Sequence, residues 1–161
     1  MADLIVTVKE DIELKGRQHG TSSSYTLSSI TNVYSRIITC TRNVDTTVVK
    51  FGPDASTSDG ALKIGSTKYM RITNLSLTQD VNLSFQIDTT EHASDPSAAN
   101  QSASFLLKAK ESFIMGTAHN SLCVESADAD IDVTMHDLES VIVDSPAAAE
   151  VDIEVFVAST S

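Results

Sequence analysis

The chain has 161 residues, 41% of them hydrophobic, which is enough for one folded domain with its own core and excludes a disordered chain. A formal net charge of -11 argues against direct binding to phosphate backbones or anionic membranes, because such a surface is repelled by both. Two cysteines, no Trp and 5% aromatic residues exclude a disulfide framework and leave the core to Val, Ile, Leu and a few Phe.

In chain order, residues 1–10 lack the basic and long apolar stretches of a secretory signal, so the chain is expected to be made in a cytoplasm and to stay soluble. Leu4, Val6 and Val8 alternate with polar residues, the pattern of a half-buried strand. Residues 16–29, rich in Ser, Thr and Gly, read as a long loop or an arm. Residues 33–41 and 46–51 are rich in β-branched residues without clean alternation, as are 68–75, 104–107, 112–115 and 138–143. That irregularity predicts burial on both faces. Gly52-Pro53-Asp54 closes one strand, and Ser58-Asp59-Gly60 and Gly65-Ser66 bracket a short one. Thr78-Gln79-Asp80 reads as a hairpin tip leading into residues 81–87, which alternate without a break. Residues 88–102 have no apolar periodicity and form a long exposed loop, while 108–111 join the next two strands. Ile131, Val133 and Met135 alternate behind an acidic face, and residues 151–157 make a closing strand. Residues 146–150 allow at most one helical turn. About ten short strands with frequent turns predict an all-β fold: one antiparallel β-sandwich over residues 1–161, jelly-roll-like, with extended loops or an arm.

Chemistry is sparse. Asp128, Asp130 and Asp132 begin like a calcium loop with Glu139 at the closing position, but Val133 stands where the sharp turn needs glycine. An acidic strand face accounts for them better. His19, His92, His119 and His136 are not spaced as metal ligands, and His136-Asp137 has no nucleophile elbow to serve. No phosphate-cradling glycine motif occurs. The residues therefore predict no enzyme, cofactor or metal. Cys40 and Cys123 both lie in apolar runs and read as buried thiols rather than a bridge. Lys9, Lys15, Arg17, Arg36, Arg42 and Lys50 crowd the first third, and acids dominate the last third. Such a separation would let copies associate head to tail or around a ring. The docking candidates are Lys15, Arg17 and His19 on the arm, with Glu91, His92, Asp95 and Asn100 on the long loop.

Lys68-Tyr69-Met70-Arg71-Ile72-Thr73-Asn74-Leu75, the alternating strand that follows, and the later Leu107-Lys108-Ala109-Lys110-Glu111-Ser112-Phe113 resemble small β-structural proteins of tailed bacteriophages, marine and cyanobacterial ones in particular. In those proteins an Arg-Ile-Thr-Asn-Leu strand precedes a polar alternating strand, and a Leu-x-x-Gly-Glu-Ser-Phe turn returns to the sheet. Here Lys110 replaces that glycine. The resemblance covers residues 33–115. It implies a non-enzymatic virion component: a capsid decoration protein, or a tail, neck or fibre part. It also implies a homo-oligomer, most simply a trimer, bound to a major capsid protein. A carbohydrate-binding module is the alternative of another class, although such modules stack sugars on exposed Trp or Tyr and only Tyr25, Tyr34 and Tyr69 are present.

Overall fold

A computed structural model describes residues 1–53, 61–88, 101–124, 134–145 and 149–161. The described strands are β1 (Ala2–Lys9), β2 (Glu13–Leu14), β3 (Arg17–Gln18), β4 (Ser22–Ile30), β5 (Asn32–Cys40), β6 (Asp45–Gly52), β7 (Leu62–Lys63), β8 (Thr67–Asn74), β9 (Val81–Asp88), β10 (Gln101–Leu107), β11 (Ser112–Met115), β12 (Asp137–Asp144) and β13 (Val151–Ser159). One 3-10 turn, Ile64–Ser66, precedes β8.

Two sheets make the body. One has the order β11-β8-β13-β5, the other β10-β9-β12-β6-β7. Counting β5, β6 and β8 to β13 as strands one to eight, the sheets read 6-3-8-1 and 5-4-7-2. That interleaving is the jelly roll, and it confirms the antiparallel β-sandwich expected from the alternation. Residues on the inward faces seal a core between the sheets. Met70, Ile72, Ile153 and Val155 come from the first sheet, and Leu83, Phe85, Val141 and Val143 from the second. The period-two strands behave as their sequence requires: β9 and β13 alternate buried and less buried positions along most of their length.

Three expectations change. The stretch 16–29 is mostly strand: β3 and β4 pair with β2 and β1 in a ribbon. Thr78-Gln79-Asp80 is not a hairpin tip, because β8 and β9 lie in different sheets. Residues 75–80 arch across the sandwich, and 108–111 do the same between β10 and β11. Both arches are tied at Asn74. Its buried amide nitrogen donates to the Gln79 carbonyl at 2.8 Å and the Leu107 carbonyl at 3.3 Å, and its side-chain oxygen accepts from the Ser76 N–H at 3.0 Å. The Asn74 backbone also exchanges bonds with Glu111 and Lys110. Lys110 sits at φ +68°, left-handed backbone that glycine takes most readily.

The third change concerns burial. β8 is covered on both faces, but β5, β10 and β11 are edge strands with largely exposed side chains. Irregular apolar patterning marks a doubly covered strand in the first case and an open edge in the others. Met135 lies outside any strand and is exposed, so it is not on an inward strand face. Gln101 and Ser102, expected in the long loop, open β10. Glu91, His92, Asp95 and Asn100 lie outside the described residues, as do Ser58-Asp59-Gly60, Asp128, Asp130, Asp132 and the start of the 146–150 segment.

Candidate assembly surface

The ribbon is the most distinctive surface of the molecule. β1 and β4 pair from Ala2↔Ile30 to Lys9↔Ser22. The ladder continues through Glu10 N–H to Thr21 O (2.8 Å) and His19 N–H to Ile12 O (2.9 Å), and ends at Leu14↔Arg17. Lys15 (φ +53°) and Gly16 (φ +75°) turn the tip. Two successive left-handed residues match the twist of a ribbon, and glycine takes the second without a Cβ penalty. Gly20 is fixed by crowding: a Cβ there would stand 2.1 Å from the Glu10 carbonyl oxygen, inside backbone. At ~3.3 Å per residue the ribbon runs roughly 40 Å from base to tip.

Only the base is anchored. Leu4 and Val6 of β1, with Leu27 and Ile30 of β4, pack on Tyr69, Phe156 and Ala158, which point outward from the four-stranded sheet. Burial there pushes the Tyr69 phenol above its ordinary pKa. Arg71 opposes the shift and Tyr25 adds to it. Beyond the base, every residue from 7 to 26 is exposed. The stripe that begins with Leu4 and Val6 continues to Val8 and Tyr25, 48% and 45% exposed, and the tip adds Ile12 and Leu14 at 53% and 55%. Lys15, Arg17 and His19 all lie on this exposed segment, so the structure brings these three sequence candidates together. Each of β1 and β4 has one unpaired edge among the described residues.

A second open element adjoins it. β5 is nine residues long and pairs only with β13 among the described strands. Its outward face shows Val33 and Ile37, 56% and 64% exposed. Arg36 stacks over the Tyr34 ring at 5.2 Å. Sequence reading missed this feature, since a run such as Tyr34-Ser35-Arg36-Ile37-Ile38 does not say which of its edges stays unpaired.

Several ionisable groups elsewhere brace neighbouring segments. Asp137, nearly buried, accepts from the Asn120 N–H at 2.6 Å and meets His119 Nδ1 at 2.8 Å. Its carboxylate thereby holds residues 117–122 against the start of β12, where Leu122 and His136 form a bridge. Arg71 and Glu154 pair at 2.5 Å on the outer sheet face beside the ribbon. No disulfide joins Cys40 and Cys123; Cys40 is buried, while Cys123 is only half-buried and so differs from the expectation. Burial pushes the Cys40 thiol up to about 11, with a Thr46 hydrogen bond acting in the opposite sense.

Depressions are small or polar. One of about 200 Å³ is lined by Phe51, Ile64, Asp88, Asp137 and Glu139 among others, and one of about 230 Å³ lies between the ribbon base and Arg71. Both fall below the ~300 Å³ at which ligand pockets begin. A wider depression of about 410 Å³ on the outer face of the five-stranded sheet is lined by Asp45, Asn82, Ser84, Gln86, Ser104, Ile142 and Asp144. Among the described residues, no group of three or more His, Cys, Asp or Glu is placed to hold a metal ion, and no helix is long and apolar enough to cross a membrane. No protein-family model, curated protein or solved structure matches the chain.

Proposed function

We propose that this chain is a non-enzymatic structural protein of a tailed-bacteriophage particle, a capsid decoration protein that strengthens the head by contacts between subunits. The observation that carries the reading is the exposed ribbon over residues 7–26. An isolated two-stranded ribbon is marginally stable in water. A long one with apolar side chains and open edges is suited to docking on a neighbour, where main-chain bonds and alternate side chains both contribute. The jelly-roll body supports the reading by analogy, since that architecture recurs in capsid and lectin domains. The net charge of -11 favours the outside of a head, away from packaged nucleic acid. A lectin reading is weaker, because Tyr69 is buried under the ribbon and Tyr34 lies beneath Arg36, which leaves Tyr25 on the ribbon as the one well-exposed tyrosine.

The test is mass spectrometry and cryo-electron microscopy of phage particles purified from cells that express this chain. The chain is expected on the head surface in a fixed ratio to the major capsid protein. A variant lacking residues 8–21 is expected to fold but not to join the particle. Absence of the chain from particles, or undiminished incorporation of the shortened variant, overturns the proposal.

A further inference from the structure

We infer that the ribbon of one copy docks along the open β5 edge of a second copy, each chain giving its ribbon and receiving one. This deepens the proposal above and rests on its reading of the ribbon as a docking element. Several observations lead to it.

First, the two surfaces match in kind. β4 and β5 each have nine residues and an unpaired edge among the described residues. Unpaired N–H and C=O groups on both sides are what strand addition consumes. The outward residues Val33 and Ile37 beside the β5 edge offer apolar cover to a ribbon whose own apolar residues, Val8, Ile12 and Leu14, are exposed. Arg36 and Arg42 lie on β5 and the turn after it, and the ribbon carries Glu10, Asp11 and Glu13 beside its own Lys9, Lys15 and Arg17.

Second, the pairing cannot be made within one chain. β4 ends at Ile30 and β5 starts at Asn32, leaving only Thr31 between them. The Thr31 N–H is held by the Ser159 carbonyl at 3.0 Å. A hairpin needs a turn of about two residues or more, so β4 cannot fold back along its own β5. β4 is therefore excluded as the partner of its own β5 edge, a restraint that the ribbon of a second copy does not share.

Third, area favours reciprocity. The exposed ribbon is ~25 Å long and two strands or ~10 Å wide, so one face covers on the order of 250 Å² of each partner, or ~500 Å² in total. That is the scale of a weak contact. An exchange in which both ribbons engage doubles it to ~1,000 Å², where specific association begins. Closed reciprocal contacts also use the β5 edge of each copy, so this contact does not propagate as a fibre.

The experiment is sedimentation velocity on the full chain between about 1 and 100 μM, a span that brackets the weak-to-moderate affinities of small interfaces, alongside three variants. Ile37→Lys alters the β5 face, Val8→Asp with Ile12→Asp alters the ribbon, and Gly20→Ala displaces the ribbon backbone while leaving charge unchanged. All of these sites are exposed, so the body is expected to keep its melting temperature, checked by circular dichroism. The full chain is expected to sediment as a dimer, and every variant to weaken it at least tenfold. Mixing the Ile37→Lys chain with the ribbon-substituted chain restores one of two contacts, so the mixture is expected to associate more than either alone. Deuterium exchange adds a local readout: β5 amides gain protection as concentration rises. A monomeric full chain at the highest concentration overturns the exchange but leaves the particle test standing, so the two failures are distinguishable. Association untouched by either class of variant, or lost with only one of them, also overturns it.

Discussion

Replacing Asn74 by Asp tests the node of the two arches with a change of one atom. The Asn74 side chain is fully buried, and its amide nitrogen serves the carbonyls of Gln79 and Leu107. An ionised carboxylate keeps the bond from the Ser76 N–H but turns an acceptor toward two other acceptors. Two hydrogen bonds of ~1 kcal/mol net are lost and two carbonyls lose a donor, for a combined cost of ~3–5 kcal/mol. In a domain of this size that lowers Tm by roughly 10–15 °C. The effect carries a pH signature. Burial against carbonyls raises the folded pKa of the introduced acid above its unfolded value near ~3.9. The protonated form, which can donate one bond, is therefore favoured by folding. Its contribution is fully present below the unfolded pKa and is lost as pH rises toward and through the folded value. Asn74→Ala removes the same donors without adding a titrating group, so its deficit should not vary with pH beyond that of the parent chain. Scanning calorimetry of the three proteins from about pH 4 to about pH 8 reads both effects. A loss of less than about 2 °C near neutrality, or a deficit for the Asp variant that stays level across the range, would refute the reasoning.

Lys110 occupies left-handed backbone at φ +68°. Lys110→Gly removes a strain of ~1 kcal/mol against a smaller unfolded-chain entropy cost, so Tm is expected to rise by ~1–3 °C; a fall would count against the turn geometry. The Cys40 thiol, pushed up to about 11 by burial, should resist alkylation at about pH 8 in the folded chain while Cys123 reacts; equal rates would contradict this. Because the folded pKa of Cys40 lies above its ordinary 9.0, its contribution to stability is present below pH 9.0 and is lost as pH rises through that value toward about 11, measurable by denaturant titration. Ile153→Ala in the closed core should cost ~2–5 kcal/mol in the same assay, whereas Ile37→Ala at the open edge should stay within ~0.5 kcal/mol in the monomer.

Much of the body was legible because its strands face two different environments. Val81, Leu83, Phe85 and Ile87 are buried while Asn82, Ser84 and Gln86 are not, and that contrast is what a period of two records. Pairing partners were not legible. The turn residues 76–80 favour a reversal, with Ser76 Oγ accepting from the Thr78 and Gln79 N–H groups. Yet local chemistry does not say whether the next strand pairs beside its predecessor or crosses to the facing sheet. The crossing is tied by the Asn74 amide, whose acceptors lie 5 and 33 residues away. The phage-like pattern held both Asn74 and the glycine-type turn at Lys110, but their joint role needs the fold. Of the seven predicted contact residues, Lys15, Arg17 and His19 share the ribbon; the other four fall on residues 91–100.

The ribbon's sequence reads as a loop or arm for a physical reason that bears on its role. Ser22-Ser23-Ser24 in β4 shows no apolar alternation, because in a single copy neither face of that segment is buried. A strand that packs on its own body acquires the alternating pattern; a strand held by main-chain bonds alone does not. Yet one stripe crosses the boundary between the two regimes. Leu4 and Val6 seal against Tyr69 and Phe156, and Val8, two residues further along the same face, is 48% exposed and outside that cluster. If the chain existed to fold alone, the stripe would be expected to stop where the body stops, since each exposed apolar side chain forgoes the burial term that favours its place in a core. Its continuation toward Ile12 and Leu14 leaves apolar surface uncovered among the described residues, and the β5 edge of another copy is the longest unpaired strand of the body among them that could cover it.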